Sequence, residues 1–416
     1  MKKSICIISL SPIARDARVL RQIKYLAPLY DLKVIGYGPF PSNLSNNSNI
    51  TWIPVNPPSQ SYIPNFVTAL KNRDWGNIRF WERVFNKISL YIPILFRGWY
   101  RRQPNYREAW RQIINTRCDA YHANDWNTLP LAADAAMKNN APLVLDLHEY
   151  APLEYENRPR WWIQQRFITY VLKKYTPMVS ASITVAELIA QRYRDEFGLD
   201  PTVIMNAPEK LTPLPHLKQD NSVRLIHHGV ASPIRHPELM IETVARCDER
   251  YTLHLMFLPN EYVEELKVLA DRRAPGRVFF NDPVAPEDIT RTIALYDVGF
   301  FPIPPVNYNY HACLPNKFFD FICSGLAVAV GPSPSMAEIV DRYGLGIVCS
   351  SFNPHEIASA LNNTTQERWN TMRQAARNAA DELNAHNEMK KLVNIYQRLL
   401  PSYPVINEEN SHTHLF

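Results

Sequence analysis

The chain has no GxGxxG turn after its first apolar run, no GxxxxGK[ST] phosphate loop and no HExxH helix. Such motifs put glycine where backbone must touch a phosphate, or two imidazoles on one helix face for zinc. Their absence weighs against nicotinamide redox chemistry, P-loop hydrolysis and the common zinc-protease reaction. Cys6, Cys118, Cys247, Cys313, Cys323 and Cys349 stand singly, with no CxxC or zinc-type spacing, a pattern suited to a reducing cytoplasm. No run approaches the roughly 18 apolar residues that span a bilayer. The opening MKKSICIISLSP pairs two lysines with an apolar run, but the run is short and no small-residue cleavage site follows, so it reads as a first β-strand. Internal repeats and low-complexity tracts are also missing. These absences describe a protein that is soluble or bound at a membrane surface.

What is present is an alternation. The 416 residues exceed what one hydrophobic core usually supports, and the composition, 46% hydrophobic and 20% charged, is that of globular domains. Strand-like runs at 5–10, 32–38, 51–55, 120–123, 143–149, 181–185 and 202–207 alternate with helical patterns, the signature of parallel α/β layers. A proline-rich polar stretch follows, and the alternation restarts at 223–229, 252–258, 277–281, 298–303, 326–331 and 346–350. The expected fold is therefore α/β, with two Rossmann-like doubly wound domains facing a cleft. The expected boundaries are 1–207, a linker at 208–222, a second domain at 223–385, and a C-terminal helix and tail at 386–416 that packs back on the first domain. One long helical segment is expected after about residue 366.

A helical insert at about 60–117 departs from this pattern. Residues 71–117 hold eleven Lys or Arg against three acids, Asp74, Glu82 and Glu108, together with Trp75, Trp81, Trp99 and Trp110. Basic side chains interleaved with aromatics suit an anionic membrane interface. They could equally line a nucleic-acid groove or form an ordinary insert packed on the domain; no recognised nucleic-acid module accompanies them, so no nucleic-acid partner is expected.

Polar residues gather at the expected strand ends, where ligands of doubly wound folds bind. His122, Asn124 and Asp125 follow the fourth strand, and His148 and Glu149 the fifth. Arg15 and Asp16 lie in the loop after the first. In the second half, Gly229 and Arg235 precede a helix, and Lys317 and Asp320 stand in LPNKFFDFICSGLAVAVG. There Phe318, Phe319, Phe321 and Ile322 read as the buried face of a helix that Pro315 starts and Gly325 stops. Lys317 is at the end of that helix where the macrodipole disfavours a cation. A bound diphosphate resolves the conflict, since its charge suits both the helix terminus and the two cations. Asp320, one turn on, is placed to accept hydrogen bonds from a ribose diol. Taken one at a time, each of these residues also has a plain structural reading, as a packed histidine, a loop cation or a surface ion pair.

These stretches resemble the retaining GT-B glycosyltransferases, in particular family 4, or group 1. DAYHANDWNTLPLAADAAMKNNAPLVLDLHEY is similar to the family's HANDxxTLP…DxHE region, and ASITVAELIAQRY…PTVIMNAP to its TVSxxIAxxL…VIxNxP segment. HHGVASPIRHPELMIETV resembles GxxxxxRGxxxLIxA, and LPNKFFDFICSGLAVAVGPSPSMAEIV resembles PxKxxEYxAxGxPVVxSxxxxxxEIV. The resemblance implies an acceptor-binding N-terminal domain and a C-terminal domain that binds a nucleotide sugar, UDP- or GDP-linked, without cofactor or obligatory metal. It implies that Arg235 and Lys317 neutralise the donor diphosphate, that Asp320 holds the ribose beside Gly229, and that His148 lies near the transferred sugar. Arg15, Asp16, Asn124, Asp125 and Glu149 would line the acceptor side. The implied activity moves a sugar to a saccharide or lipid-linked acceptor with retention, in the cytoplasm or peripherally at the inner face of its membrane.

Three departures qualify it. The family's pair of acids eight apart is here Ala312 and Asp320, and the glycine after the family's arginine is His236. The loop VNYNYHACLPNK, with Asn307, Asn309 and His311, is a candidate substitute for the missing acid, or a plain polar loop. The loss of the acid keeps open a catalytically degenerate binding or scaffold subunit, and GT-B-like sugar-nucleotide 2-epimerases share the architecture.

Overall fold

The computed structural model describes residues 2–41, 44, 46–57, 88, 91–154, 156–215 and 220–401. The part of the expected insert with Trp75 and Trp81, and the tail from 402, lie outside the described residues. The first sheet contains β1 (Ser4–Pro12), β2 (Asp31–Tyr37), β3 (Ile50–Val55), β4 (Ala120–Asn124), β5 (Leu143–Leu147), β6 (Ala181–Thr184) and β7 (Thr202–Val203). The second contains β8 (Val223–Val230), β9 (Tyr251–Leu258), β10 (Val278–Phe280), β11 (Val298–Phe301), β12 (Ala327–Val330) and β13 (Gly346–Val348). Their orders are β3-β2-β1-β4-β5-β6-β7 and β10-β9-β8-β11-β12-β13.

Neighbouring strands pair in parallel: Ile5 lies opposite both Leu32 and Ala120, and Leu225 opposite both Leu253 and Val298. β4, β5, β11 and β12 are buried along their whole length because helices cover both sheet faces, which is why they read as unbroken apolar runs. Each order reverses once, between β1 and β4 and between β8 and β11. Strand ends splay apart at such a reversal and leave a crevice, so two sites of ligand access are built into the topology.

The helix Asn316–Cys323 follows the sequence logic. Phe318, Phe319, Phe321, Ile322 and Cys323 are buried, Pro315 is its N-cap, and Gly325 takes the left-handed φ of +72° just past its end. The long helical segment expected after 366 is instead two helices, Gln366–Ala379 and Ala385–Leu399. Asn384 causes the break, since its extended backbone lets the side chain accept from Asn387 N–H and cap the second helix.

Two seams join the halves. Met389, Leu392, Ile395 and Tyr396 of the last helix share a core with Ile5, Ile7, Ile23 and Leu32 of the first sheet. At about 2 kcal/mol for each fully buried apolar side chain, that contact is substantial. Glu388 fixes its position by accepting from Met205 N–H at 2.7 Å. At the second seam, Tyr150 N–H donates to Asn309 Oδ1 at 2.7 Å and Asn309 Nδ2 donates to Tyr150 O at 3.2 Å. The Arg192 guanidinium lies 4.6 Å from the Tyr150 ring centre and 4.4 Å from that of Tyr308. The cleft lies between these seams.

Candidate active site in the interdomain cleft

On the second domain, β8 ends in His227, His228 and Gly229, and each meets the Lys317 helix. His227 is buried, its Nδ1 2.8 Å from Phe300 O, so this nitrogen carries the proton and Nε2 is left to accept from Lys317 Nζ at 3.1 Å. Gly229 has φ +120°, and a Cβ added there would stand 3.1 Å from Lys317 Nζ. Glycine is thus required both by backbone conformation and by the lysine's approach. Asp320 Oδ2 is 3.4 Å from His228 Nε2. Arg235 lies in the short turn Pro233–Arg235, and its Nε donates to Tyr310 OH at 3.2 Å.

Burial and the nearby Arg235 push the Lys317 ammonium down to about 7, against the pull of Asp320 and Cys313. Arg235 thus disfavours the charge of Lys317, which the macrodipole at the helix N-terminus disfavours as well.

On the first domain, His148 stands just past β5 over a buried ion pair. Arg18 is 4% exposed and grips Asp146 with two bonds, Nε to Oδ2 at 2.6 Å and Nη2 to Oδ1 at 2.7 Å, while Gln22 Nε2 adds a third at 2.6 Å. Burial would raise the Asp146 carboxyl, but Arg18 and His148 hold it well below the usual carboxylate range. His148 Nδ1 is 3.3 Å from Asp125 Oδ2 and its Nε2 3.4 Å from Asp146 Oδ2. Burial disfavours its charge, but the two carboxylates overcome this and raise it to about 9. It is therefore an imidazolium at neutral pH.

Glu149 opens toward the cleft. The loss of water around its carboxyl, with Glu154 and Asp125 nearby, raises it to about 7 against the pull of His148 and Arg235. The Tyr150 clamp on Asn309 carries this residue across to the loop that leads to Ala312 and Cys313. A cavity of about 320 Å³ is lined by Arg15, Asp16, Arg18, His148 and Asn206 of the first half and by Asn316, which precedes Lys317.

The expected residues do not all serve this cleft. Asn124 is buried, accepts from Gln22 and donates to Ile8 O, so it holds the sheet. Asp16 lines the cavity but its carboxylate accepts from Val19 N–H and Ser11 Oγ, capping the first helix. His122 is also interior, its Nδ1 2.7 Å from Tyr396 OH, and burial lowers it to about 4. In the VNYNYHACLPNK loop, Asn307 accepts from Tyr310 N–H and donates to Glu154 O, while Asn309 is spent on Tyr150, so neither amide is free for a sugar. The residues that sequence reasoning missed are Arg18, Asp146, Gln22, Asn206, His227 and His228. The doubled histidine before Gly229 was the available signal for the last two, and Asp146 and Asn206 stood inside the DLHE and VIMNAP stretches; nothing local marked Arg18 or Gln22. Among the described residues no group of His, Cys, Asp and Glu could hold a metal ion.

Residues 63–207 match the model of Glycosyltransferase Family 4. HepE from Anabaena, solved with UDP and glucose, superposes over 95% of this chain and 100% of its own with a TM-score of 0.66 and 17% identity. The chain has the GT-B glycosyltransferase fold. Other GT-B neighbours are sucrose-phosphate synthase from Thermosynechococcus elongatus (TM-score 0.68, 13% identity, 96% and 99% of the two chains) and a Rickettsia africae glycosyltransferase (TM-score 0.63, 14% identity, 96% and 99%). No curated protein matches the chain in sequence. In this GT-B chain, Lys317, Asp320, Arg235 and Gly229 stand on one wall of the interdomain cleft, and His148, Asp125 and Glu149 on the other.

Proposed function

We propose that the chain moves a sugar from a UDP- or GDP-linked donor to a saccharide or lipid-linked acceptor, with retention of configuration and without a metal. The reading rests on Lys317, whose ammonium is disfavoured by burial and by the nearby Arg235. A donor diphosphate would supply the charge that favours it. The neighbour HepE is described with UDP and glucose, which supports a nucleotide sugar as the partner.

In this reading the bond from the anomeric carbon to the diphosphate oxygen breaks while a bond to the acceptor oxygen forms on the same face. The leaving diphosphate gains negative charge as it departs, and Lys317 and Arg235 stabilise that charge where it develops. Asp320, steadied by His228, accepts from the ribose hydroxyls. His148 is already protonated, with both ring nitrogens facing carboxylates, so it cannot serve as a general base at neutral pH. That suits a transfer in which the leaving phosphate itself takes the acceptor proton. Ala312 offers no carboxylate to the donor sugar, and Glu149 reaches the same region from the opposite wall. We assign it the sugar-contacting role.

The buried Ala312 also favours a second reading, a GT-B binding subunit that does not turn over. No helix among the described residues is long and apolar enough to cross a membrane. Placement at the inner face of a membrane would rest on the exposed basic residues around Trp110.

A thermal-shift panel of UDP, GDP, ADP and their sugar conjugates tests the proposal, with Lys317→Ala as control. A ligand at 100 times its Kd stabilises the native state by about 2.7 kcal/mol. One nucleotide should stabilise the wild type and fail with the variant. If one does, incubation with its sugar conjugate and acceptors separates transfer from mere binding. Stabilisation by none sinks the proposal.

A further inference from the structure

Away from the cleft, the helices Phe96–Arg102 and Pro104–Asn115 enclose a second cavity of about 270 Å³ against the helix Leu129–Asn139. It shares no lining residue with the cleft cavity. Its walls are apolar and aromatic, including Phe96, Tyr100, Leu131 and Trp110. Tyr100 is 5% exposed, yet among the described residues its hydroxyl has no hydrogen-bond partner. A buried phenol normally finds a partner, and leaving it without one is costly. A ligand that enters the cavity and accepts a hydrogen bond would remove this cost.

The rim is strongly basic. Arg97, Arg101, Arg107 and Arg111 line it against a single acid, Asp134, and Asp134 is already shared by Arg97 at 3.4 Å and Trp110 Nε1 at 3.3 Å. Among the described residues, Arg101, Arg107 and Arg111 are exposed and have no ion-pair partner. Arg107 and Arg111, four apart, stand on the same helix face. An apolar hollow with a buried donor and a ring of unneutralised guanidinium groups selects a ligand that is apolar at one end and anionic at the other. The volume lies near the lower end of small-ligand sites, so it suits part of a chain or one ring and not a whole lipid.

We propose that this cavity is a binding site for the apolar end of a phosphorylated amphiphile, whose phosphate the rim arginines hold. The source is a membrane lipid or a free lipid phosphate; use of the site to present an acceptor rests on the transferase reading, but binding does not.

Calorimetry with octyl phosphate tests this, with inorganic phosphate and octyl glucoside as probes of head and tail alone. The expected result is binding at least a hundredfold tighter for octyl phosphate than for either. Arg107→Ala combined with Arg111→Ala, both exposed and remote from the cleft, should weaken it at least tenfold, with the nucleotide thermal shift unchanged. Equal affinity for inorganic phosphate, or indifference to the arginine variant, overturns the site. Retention on phosphatidylglycerol vesicles without any octyl phosphate binding also overturns it and leaves only surface adhesion. If octyl phosphate binds, its ability to displace the chain from such vesicles points to a membrane lipid, and failure to displace it points to a free lipid phosphate.

Discussion

Asp146→Asn removes the negative charge beneath His148 while keeping nearly the same volume. Three donors converge on this carboxylate at 2.6 to 2.7 Å, and the Arg18 guanidinium among them is 4% exposed. A buried charge stripped of its partner costs about 3–5 kcal/mol, so the variant should lose roughly that much stability. The same change should let His148 fall from about 9 toward its ordinary 6.5, because only Asp125 would remain to favour the imidazolium. His148 is raised in the folded state, so its charge stabilises fully below about pH 6.5 and that contribution is lost as pH rises through about 9. The variant should therefore show a flatter loss of stability across this window. Urea unfolding at several pH values and an NMR titration of the imidazole measure both effects. Arg18→Met with Asp146→Leu should recover much of the single-variant loss, since an absent pair needs no desolvation. A single variant within about 1 kcal/mol of wild type, with His148 still near 9, would refute the account of this network.

Gly229→Ala should place a methyl against Lys317 Nζ at a strained φ, costing about 1–3 kcal/mol of stability and weakening nucleotide binding at least tenfold, as read by unfolding and calorimetry. The Glu149 carboxyl is raised to about 7 in the folded state, so its ionisation costs stability fully above about pH 7 and not below its ordinary 4.5. Glu149→Gln should raise the melting temperature at pH 8, leave it unchanged at pH 4, and reduce the preference for a nucleotide sugar over the bare nucleotide. Asn309→Ala leaves a buried N–H and C=O of Tyr150 unpaired, at about 1–3 kcal/mol, and faster hydrogen exchange at Tyr150 would report the loosened seam.

The doubly wound architecture was legible because fully buried parallel strands write themselves as short apolar runs, and β11 and β12 could be read to within a residue or two. Lys317 stood out for a different reason, as a cation set against a helix dipole. Arg18, on the helix Ala17–Leu26 and 128 positions from Asp146, announces nothing until the fold brings the two together. Asn124 and Asp16 misled in the opposite way. Polar residues at strand ends are also what a fold uses to bridge strands and cap helices, and the sequence does not distinguish a side chain already spent on backbone from one aimed at a ligand. The break at Asn384 was missed because capping by one amide can end a helix without glycine or proline.

A diphosphate that binds beside Lys317 should bring the charge back to that lysine. Calorimetric titration with UDP at pH 8, in two buffers of different ionisation enthalpy, counts the protons taken up on binding. With Lys317 at about 7 in the empty cleft, most molecules begin with it neutral, and a bound diphosphate should restore its charge. The expected result is an uptake approaching one proton per UDP, which disappears with Lys317→Met together with at least tenfold of the affinity. Binding without proton uptake and indifferent to Lys317→Met would contradict the claim, as would the failure of UDP and GDP alike to bind the folded protein.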